Sequence, residues 1–330
     1  MKHRTIILGM GSYLPQQILT NADLEKIVDT SDEWITARTG IKERRIATPD
    51  QATSDISMEA TQQALATARI HPEELTHIIV ATLTPDTYCP SAAVRLQYKL
   101  GIKNRVAFDI NAACAGFLYA LYIARSLVAL DIQTKVLVVG ADILTSRTNW
   151  KDRHTCVLFG DGAGAVIVAA QKQCQAMATI DDIILSSDGA HADLLTIKGG
   201  GSAYPLRHGE PADNDFFIQM SGQEVFKLAV RNLSTVVKDI LEKNGITKAD
   251  IDLFIPHQAN MRIIDAVASR LGFSKEKCFT NVQHYGNTSA ASIPIALVEA
   301  FATGCIRPGA RVLLATFGGG MTWGAGLLQF

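Results

Sequence analysis

Cys114 closes a strand-like run, "VAFDINAAC" (106–114), and opens an all-apolar helical run, "AGFLYALYIA". A cysteine in such company is ordinarily a small buried hydrophobe. At a helix N-terminus, however, unpaired N–H groups and the helix dipole favour a nucleophilic thiolate. Bringing a thiol of free pKa ~8.5 to half ionisation at pH 7 takes about 2 kcal/mol. A dipole ordinarily supplies ~0.3–1 kcal/mol, so a second polar partner is expected beside the sulfur. Three further stretches carry candidate partners for it: His257 in "IPHQANMR", Asn287 in "HYGNTSAAS", and Gly318, Gly319 and Gly320 in "TFGGGMTWG". The glycines let backbone approach a substrate closely and aim N–H groups at it. Each also has a plain structural reading. His257 can start the next helix, Asn287 can hold a left-handed turn, and the glycines can form a bend.

Four pairs of segments place these residues in a repeat. "HIIVAT" (77–82) matches "DLFIPH" (252–257) at a shift of 175, and "VAFDINAAC" matches "FTNVQHYGN" (279–287) at 173. "KVLVVGAD" (135–142) matches "RVLLATFG" (311–318) at 176, and "TIILGMGS" (5–12) matches "DIILSSDG" (182–189) at 177. The pattern implies a duplication with halves at 1–172 and 177–330, joined by the polar "AAQKQCQA" (169–176), with Asn287 as the counterpart of Cys114. Helical runs at 57–70 and 221–245 alternate with the strands, so each half reads as α/β with a mainly parallel sheet. Ligands of such sheets bind beyond the carboxyl ends of the strands. The Gly/Pro/Asp/His-rich stretch 186–214 reads as a surface excursion forming a pocket rim.

The rest of the composition narrows the function. At 330 residues, 48% hydrophobic and with a formal net charge of −1, the chain is long enough for a large core and has no overall charge bias toward nucleic acid or a membrane surface. Its longest apolar runs, such as 135–140 and 311–315, are expected to fall well short of the ~20 residues needed to span a bilayer. The six cysteines have no metal-ligand spacing and suit a reducing cytoplasm. No metal is expected.

"DINAACAGF", "FGDGAGA", "IPHQANMR", "HYGNTSAAS" and "FGGGMTWG" together resemble, in order and spacing, the β-ketoacyl-acyl-carrier-protein synthase III family of condensing enzymes, within the thiolase superfamily. The resemblance runs end to end. It implies a thiolase-like five-layered αβαβα fold of two duplicated halves, usually a homodimer. It implies no permanently bound cofactor, with acyl-CoA as substrate and malonyl-acyl carrier protein as partner. Cys114, His257 and Asn287 would be the catalytic trio, with Gly319 contributing an oxyanion N–H and Phe317 shielding the reacting carboxylate.

On the CoA side, "TSDEWITARTGIKERR" (30–45) reads as a helix capped by Thr30 with Glu33, placing Trp34 and Arg38 on one face. Without the family, a core tryptophan beside a solvated charged face is an equal reading. By resemblance, Trp34 and Arg153 sandwich the adenine, Arg38 reaches the phosphates, and Phe226 and Asn260 line the pantetheine tunnel. Lys227, Arg262 and Arg270 would form the rim that meets the carrier protein; ordinary surface charge remains the alternative.

Two positions depart from the pattern. His154 stands where common relatives carry Gly, and Cys89 where some place a phenylalanine that closes the partner's primer pocket. A related condensing enzyme of secondary metabolism shares every catalytic residue. A Cys-His-Asn thiol hydrolase is the rival from another reaction class, but it leaves the repeat, the glycines and Trp34 without a role.

Overall fold

The computed structural model describes residues 4–171, 176–206 and 214–330. Cys174 and part of the 169–176 junction lie outside the described residues, as do positions 207–213 of the predicted pocket rim. Nine strands form the main sheet: β1 (Thr5–Tyr13), β2 (His77–Ala81), β3 (Val106–Ile110), β4 (Lys135–Ile143), β5 (Asp161–Ala170), β6 (Ala178–Ser187), β7 (Leu253–Pro256), β8 (Arg311–Gly318) and β9 (Thr322–Gln329). Their spatial order is β7-β8-β9-β6-β1-β5-β4-β2-β3. In the first half β3, β2, β4 and β1 point one way and β5 runs against them. In the second half β7, β8 and β6 agree and β9 is reversed. The halves meet where β1 and β6 pair through Ile6–Thr179 and Ile7–Ala178.

Helices complete five layers. Outside the first half lie α2 (Thr53–Ala68) and α3 (Ala92–Lys99), and outside the second lie α5 (Gly222–Lys243) and α6 (Met261–Leu271). Between the two halves of the sheet lie α4 (Gly116–Leu130) and α7 (Ser292–Ala302). Both central helices are apolar on nearly every side, as burial between two sheets requires. Phe117, Leu118, Leu121 and Val128 of α4 join Ile293, Ala296 and Leu297 of α7 in one core. Each fully buried large side chain there contributes roughly 1.5–3 kcal/mol. With its preceding turn, α4 is also long and apolar enough to cross a bilayer by length and composition, which the sequence reading did not register. Here it packs against strands of both halves.

The strand registers revise the repeat. His77 pairs with Val136 and Leu253 with Val312, so the common shift is 176, and the 175 alignment of β2 with β7 was off by one. Bulges in β1 and β6 make Ile7 the counterpart of Ile180, a shift of 173 that replaces 177. The segment 279–287 does not repeat β3: Val282–Tyr285 is a helical turn there. The repeat resumes at two 3-10 turns, Ala113–Ala115 and Ser289–Ala291, whose first residues both have left-handed backbone, φ 47° and 51°. In each, an asparagine two residues earlier caps the turn, Asn111 for Ala113 and Asn287 for Ser289. The counterpart of Asn287 is therefore Asn111, and that of Cys114 is Ala290.

Candidate active site

Cys114 sits in the first of these turns, between the carboxyl end of β3 and the start of α4. The second half holds this turn in place. Thr316 of β8 donates to the Cys114 carbonyl at 2.8 Å, and Thr322 of β9 donates to the Ala112 carbonyl at 2.8 Å. Gly318 permits the approach, because a Cβ there would lie 2.6 Å from the Cys114 nitrogen and 3.1 Å from the Ala113 Cβ. The N–H of Cys114, in the first turn of its helix, lies where no carbonyl of its own helix reaches it.

The electrostatics differ from the expected thiolate. Burial pushes the Cys114 thiol up to about 12, the nearby Ser289 hydroxyl lowers it, and the Asp142 charge raises it further. The resting sulfur is a neutral thiol, because burial outweighs what a helix N-terminus supplies. Ser289 is the polar neighbour, but it is not a cation.

His257 follows β7 and is buried. Its Nδ1 lies 2.9 Å from the Ser292 hydroxyl, which also accepts the Gln258 N–H at 2.7 Å. That second bond leaves the hydroxyl proton for Nδ1, which assigns the imidazole proton to Nε2. Among the described residues Nε2 is buried without a partner, and burial pulls the imidazole down to about 3. His257 is thus a neutral donor. Asn287 is oriented by its Oδ1, which accepts the Ser289 N–H at 2.9 Å and leaves the amide NH₂ as donor.

Cys114, His257, Asn287 and Phe317 line one cavity of about 850 Å³. Trp34, Arg38, His154, Phe226, Lys227, Asn260 and Arg262 line its outer part. A second cavity of about 640 Å³ also reaches Cys114 and is bordered by Gly319, Ser289, Leu83, Phe159 and Leu195. The described part of the 186–214 excursion supplies its wall through Ala192, Thr196, Ile197 and Gly199, as the predicted rim required. Cys114 therefore borders both spaces. Arg153 and Arg270 do not line the first cavity, and Arg270 is exposed on α6.

The outer residues form a cluster of their own. Trp34 and Arg38 share a face of α1 (Asp32–Thr39), with the Arg38 guanidinium carbon 4.6 Å from the indole centroid. Arg153 also stands 4.6 Å from that centroid and His154 packs edge-on at 6.5 Å, so no open slot separates Trp34 from Arg153. The cap of α1 is Ser31, which accepts the Trp34 N–H at 3.2 Å, and not Thr30, whose hydroxyl is buried without a partner. Asn260 caps α6 and donates to the Arg38 carbonyl at 3.3 Å. Arg262 lies 5.7 Å over the Phe226 ring. Arg44 ties this region together from within: fully buried, it donates to the Leu19 and Val157 carbonyls and to Asn21 Oδ1. Cys89 is exposed and lines neither cavity, whereas its neighbour Tyr88 lines the second.

Sequence reasoning missed Ser292, Thr316, Thr322, Ser289 and Asp142. Ser289 and Ser292 lie inside the quoted "GNTSAAS", so the motif was in hand but the hydroxyls were not assigned.

Known proteins resemble the chain along its whole length. Residues 108–189 match the family model described as 3-oxoacyl-[acyl-carrier-protein (ACP)] synthase III, and residues 241–330 match the model of its C-terminal part. The chain is 54% identical over 329 residues to the β-ketoacyl-[acyl-carrier-protein] synthase III of Oleidesulfovibrio alaskensis, covering 100% of both. It is 49% identical to the crystal structure of 3-oxoacyl-[acyl-carrier-protein] synthase III from Aquifex aeolicus, with a TM-score of 0.90 and coverage of 99% and 100%. A priming β-ketosynthase of a polyketide biosynthetic pathway is 33% identical, with a TM-score of 0.90 and coverage of 100% and 98%.

Proposed function

Because the chain belongs to the β-ketoacyl-acyl-carrier-protein synthase III family of condensing acyltransferases, we propose that it joins an acyl-CoA primer to malonyl-acyl carrier protein and so initiates fatty-acid synthesis. The observation that carries this reading is the sharing of one cavity by Cys114, His257 and Asn287, with Cys114 also facing a second space. The Cys114 sulfur attacks the primer thioester, its oxyanion held by the N–H groups of Cys114 and Gly319, and CoA leaves. The acyl chain then occupies the second cavity. Malonyl thioester enters the first and loses CO₂, and the enolate oxygen accepts hydrogen bonds from His257 Nε2–H and the Asn287 amide. Each such donor is worth roughly 2.7–4 kcal/mol. The enolate carbon attacks the acyl-cysteine, releasing the β-ketoacyl product. Phe317, buried beside the trio, keeps water from the reacting carboxylate.

Trp34, Arg38, Arg153, Phe226 and Asn260 are the CoA-contacting set in this reading. The packing of Arg153 on Trp34 means that an adenine must displace one of them. Lys227 and Arg262, at the cavity mouth, and Arg270 farther along α6 form the basic rim for the acidic carrier protein. Residues 1–172 and 177–330 are read as the duplicated halves, supported by the 176-residue register. A homodimer is supported by the edge position of β3, with Val106, Tyr98 and Tyr88 exposed nearby. The five described cysteines are free, which suits a cytoplasmic setting.

The reading is tested by intact-mass measurement of Cys114 acylation across an acyl-CoA panel, followed by malonyl-carrier protein. Cys114→Ala is expected to abolish acylation and keep malonyl decarboxylation. His257→Ala and Asn287→Ala are expected to acylate and to lose decarboxylation. The reverse pattern overturns the roles, and hydrolysis of the acyl-enzyme without condensation favours the thiol-hydrolase reading.

A further inference from the structure

Asp142, at the carboxyl end of β4, has no part in the scheme above. Its side chain is wholly buried, and its hydrogen-bond donors are uncharged. Oδ1 accepts three hydrogen bonds, from the Leu83 N–H at 2.6 Å, Thr82 at 3.0 Å and Thr84 at 3.2 Å. Oδ2 accepts the Ala290 N–H at 3.2 Å. Burial raises this carboxyl, and the converging donors oppose that by stabilising its ionised form. The less occupied oxygen faces the 289–291 turn.

Ser289 begins that turn. Its hydroxyl oxygen is buried without a well-formed hydrogen bond among the described residues. Burial raises both the Cys114 thiol and the Asp142 carboxyl, and the Ser289 hydroxyl, close to both, lowers each. Ser289 and Cys114 border the same cavity. An unpartnered buried hydroxyl and left-handed backbone at a non-glycine residue, here φ 51°, each cost free energy. Strain of this kind concentrates at functional sites.

We propose that Ser289 passes the Cys114 thiol proton to Asp142, which stores it for the lifetime of the acyl-enzyme. This inference rests on the condensing role above. The step balances: the S–H bond breaks as its proton forms a bond to Ser289 Oγ, and the original Ser289 proton moves to Asp142 Oδ2. The electron pair left on sulfur attacks the thioester carbon. The departing CoA thiolate takes its proton from solvent. When the condensation expels the Cys114 thiolate, the stored proton returns along the same path. In this scheme Ser289 handles the proton of the reacting sulfur and is a catalytic residue; Asp142 acts through it and is a positioning residue.

The test is alkylation of Cys114 by iodoacetamide from pH 6 to 9, read by intact mass. The titratable groups facing Asp142 are Cys114, from the 113–115 turn, and Asp161, from β5. The end of β2 presents only the Thr82 and Thr84 hydroxyls, and the 289–291 turn only Ser289. Internal transfer keeps the sum of charges constant, so the wild-type rate is expected to be nearly flat with pH. In Ser289→Ala the thiol must ionise to solvent, and the rate should drop roughly 10²-fold at pH 7 and climb about tenfold per pH unit. Ala113 holds the same left-handed geometry in the matching turn, so alanine suits this backbone. Asp142→Asn is expected to behave likewise, and if it does not fold, Ser289→Ala decides.

A wild-type rate and profile in Ser289→Ala overturns the proposal. So does a steep profile in His257→Ala in place of Ser289→Ala, which would make the imidazole the acceptor. Malonyl decarboxylation by the wild-type enzyme separates the outcomes: when present it leaves the condensing role standing whichever way the alkylation result falls, and its absence overturns that role.

Discussion

The Ser292 hydroxyl lies 2.9 Å from His257 Nδ1 and accepts the Gln258 N–H at 2.7 Å, so one side chain fixes both the tautomer of the imidazole and the backbone that carries it. Ser292→Ala frees the ring to place its proton on either nitrogen. Malonyl decarboxylation should fall roughly 10- to 100-fold, by analogy with lost outer partners of a functional histidine. Single-turnover acylation of Cys114 should stay within about twofold of wild type. Equal losses in both half-reactions would contradict the assignment.

Acid dependence follows from the same histidine. Its folded pKa is depressed to about 3, so the neutral donor persists far below the ordinary value of 6.5. Decarboxylation by the acylated enzyme should show no acid limb between pH 8 and 5. An inflection near 6.5 would mean that His257 is solvated during turnover. The linkage has a sign. The unfolded chain takes up a proton below about 6.5 that the native imidazole refuses, so this group costs stability as pH falls, by about 1.4 kcal/mol per unit. Asp161 opposes it: burial raises its folded pKa to about 6, so it gains native-state protons between about 6 and 4. Asp161→Asn should therefore expose the steeper loss of Tm on acidification.

Gly318→Ala should disable the nucleophile without touching it. The added methyl meets the Cys114 nitrogen and the Ala113 Cβ, both belonging to a turn already held by Thr316 and Thr322, and neither can rotate away. Cys114 acylation is expected to drop by about 10²-fold or more, since an ångström of displacement costs on that order. Circular dichroism should remain native. Unchanged acylation would show that the turn has slack.

Arg44→Met tests the support beneath the CoA-side cluster. Removing the guanidinium leaves the Leu19 and Val157 carbonyls and Asn21 Oδ1 without their donor in a dry interior. Stability should fall by about 3–5 kcal/mol, read by urea unfolding. A neutral result would mean that water replaces the lost donors.

What was legible in the sequence follows from how loudly each residue speaks. Cys114, His257, Asn287 and the glycine triplet are chemically distinctive and sit where apolar runs end, so strand pattern and side-chain type pointed the same way. The five layers followed from the family resemblance, and the all-apolar runs of α4 and α7 agree with it. Hydroxyl contacts were silent, because Thr316 meets Cys114 across 202 residues and only the folded register brings them together. The cap of α1 slipped by one because Thr30 and Ser31 offer the same chemistry. The repeat slipped by three around Asn287 because the 282–285 helical turn has no counterpart in the first half. The charge state of Cys114 was misjudged for a different reason: the dipole is a local property of the sequence, whereas exclusion from water is set by the whole fold.

The paired helices α4 and α7 at the molecule's centre set a limit on how the polypeptide can be divided. Cut between the two repeats, each fragment would display an oily slab that only the other fragment covers. Neither would survive alone as a soluble catalyst, and activity from two co-produced pieces would report their reunion.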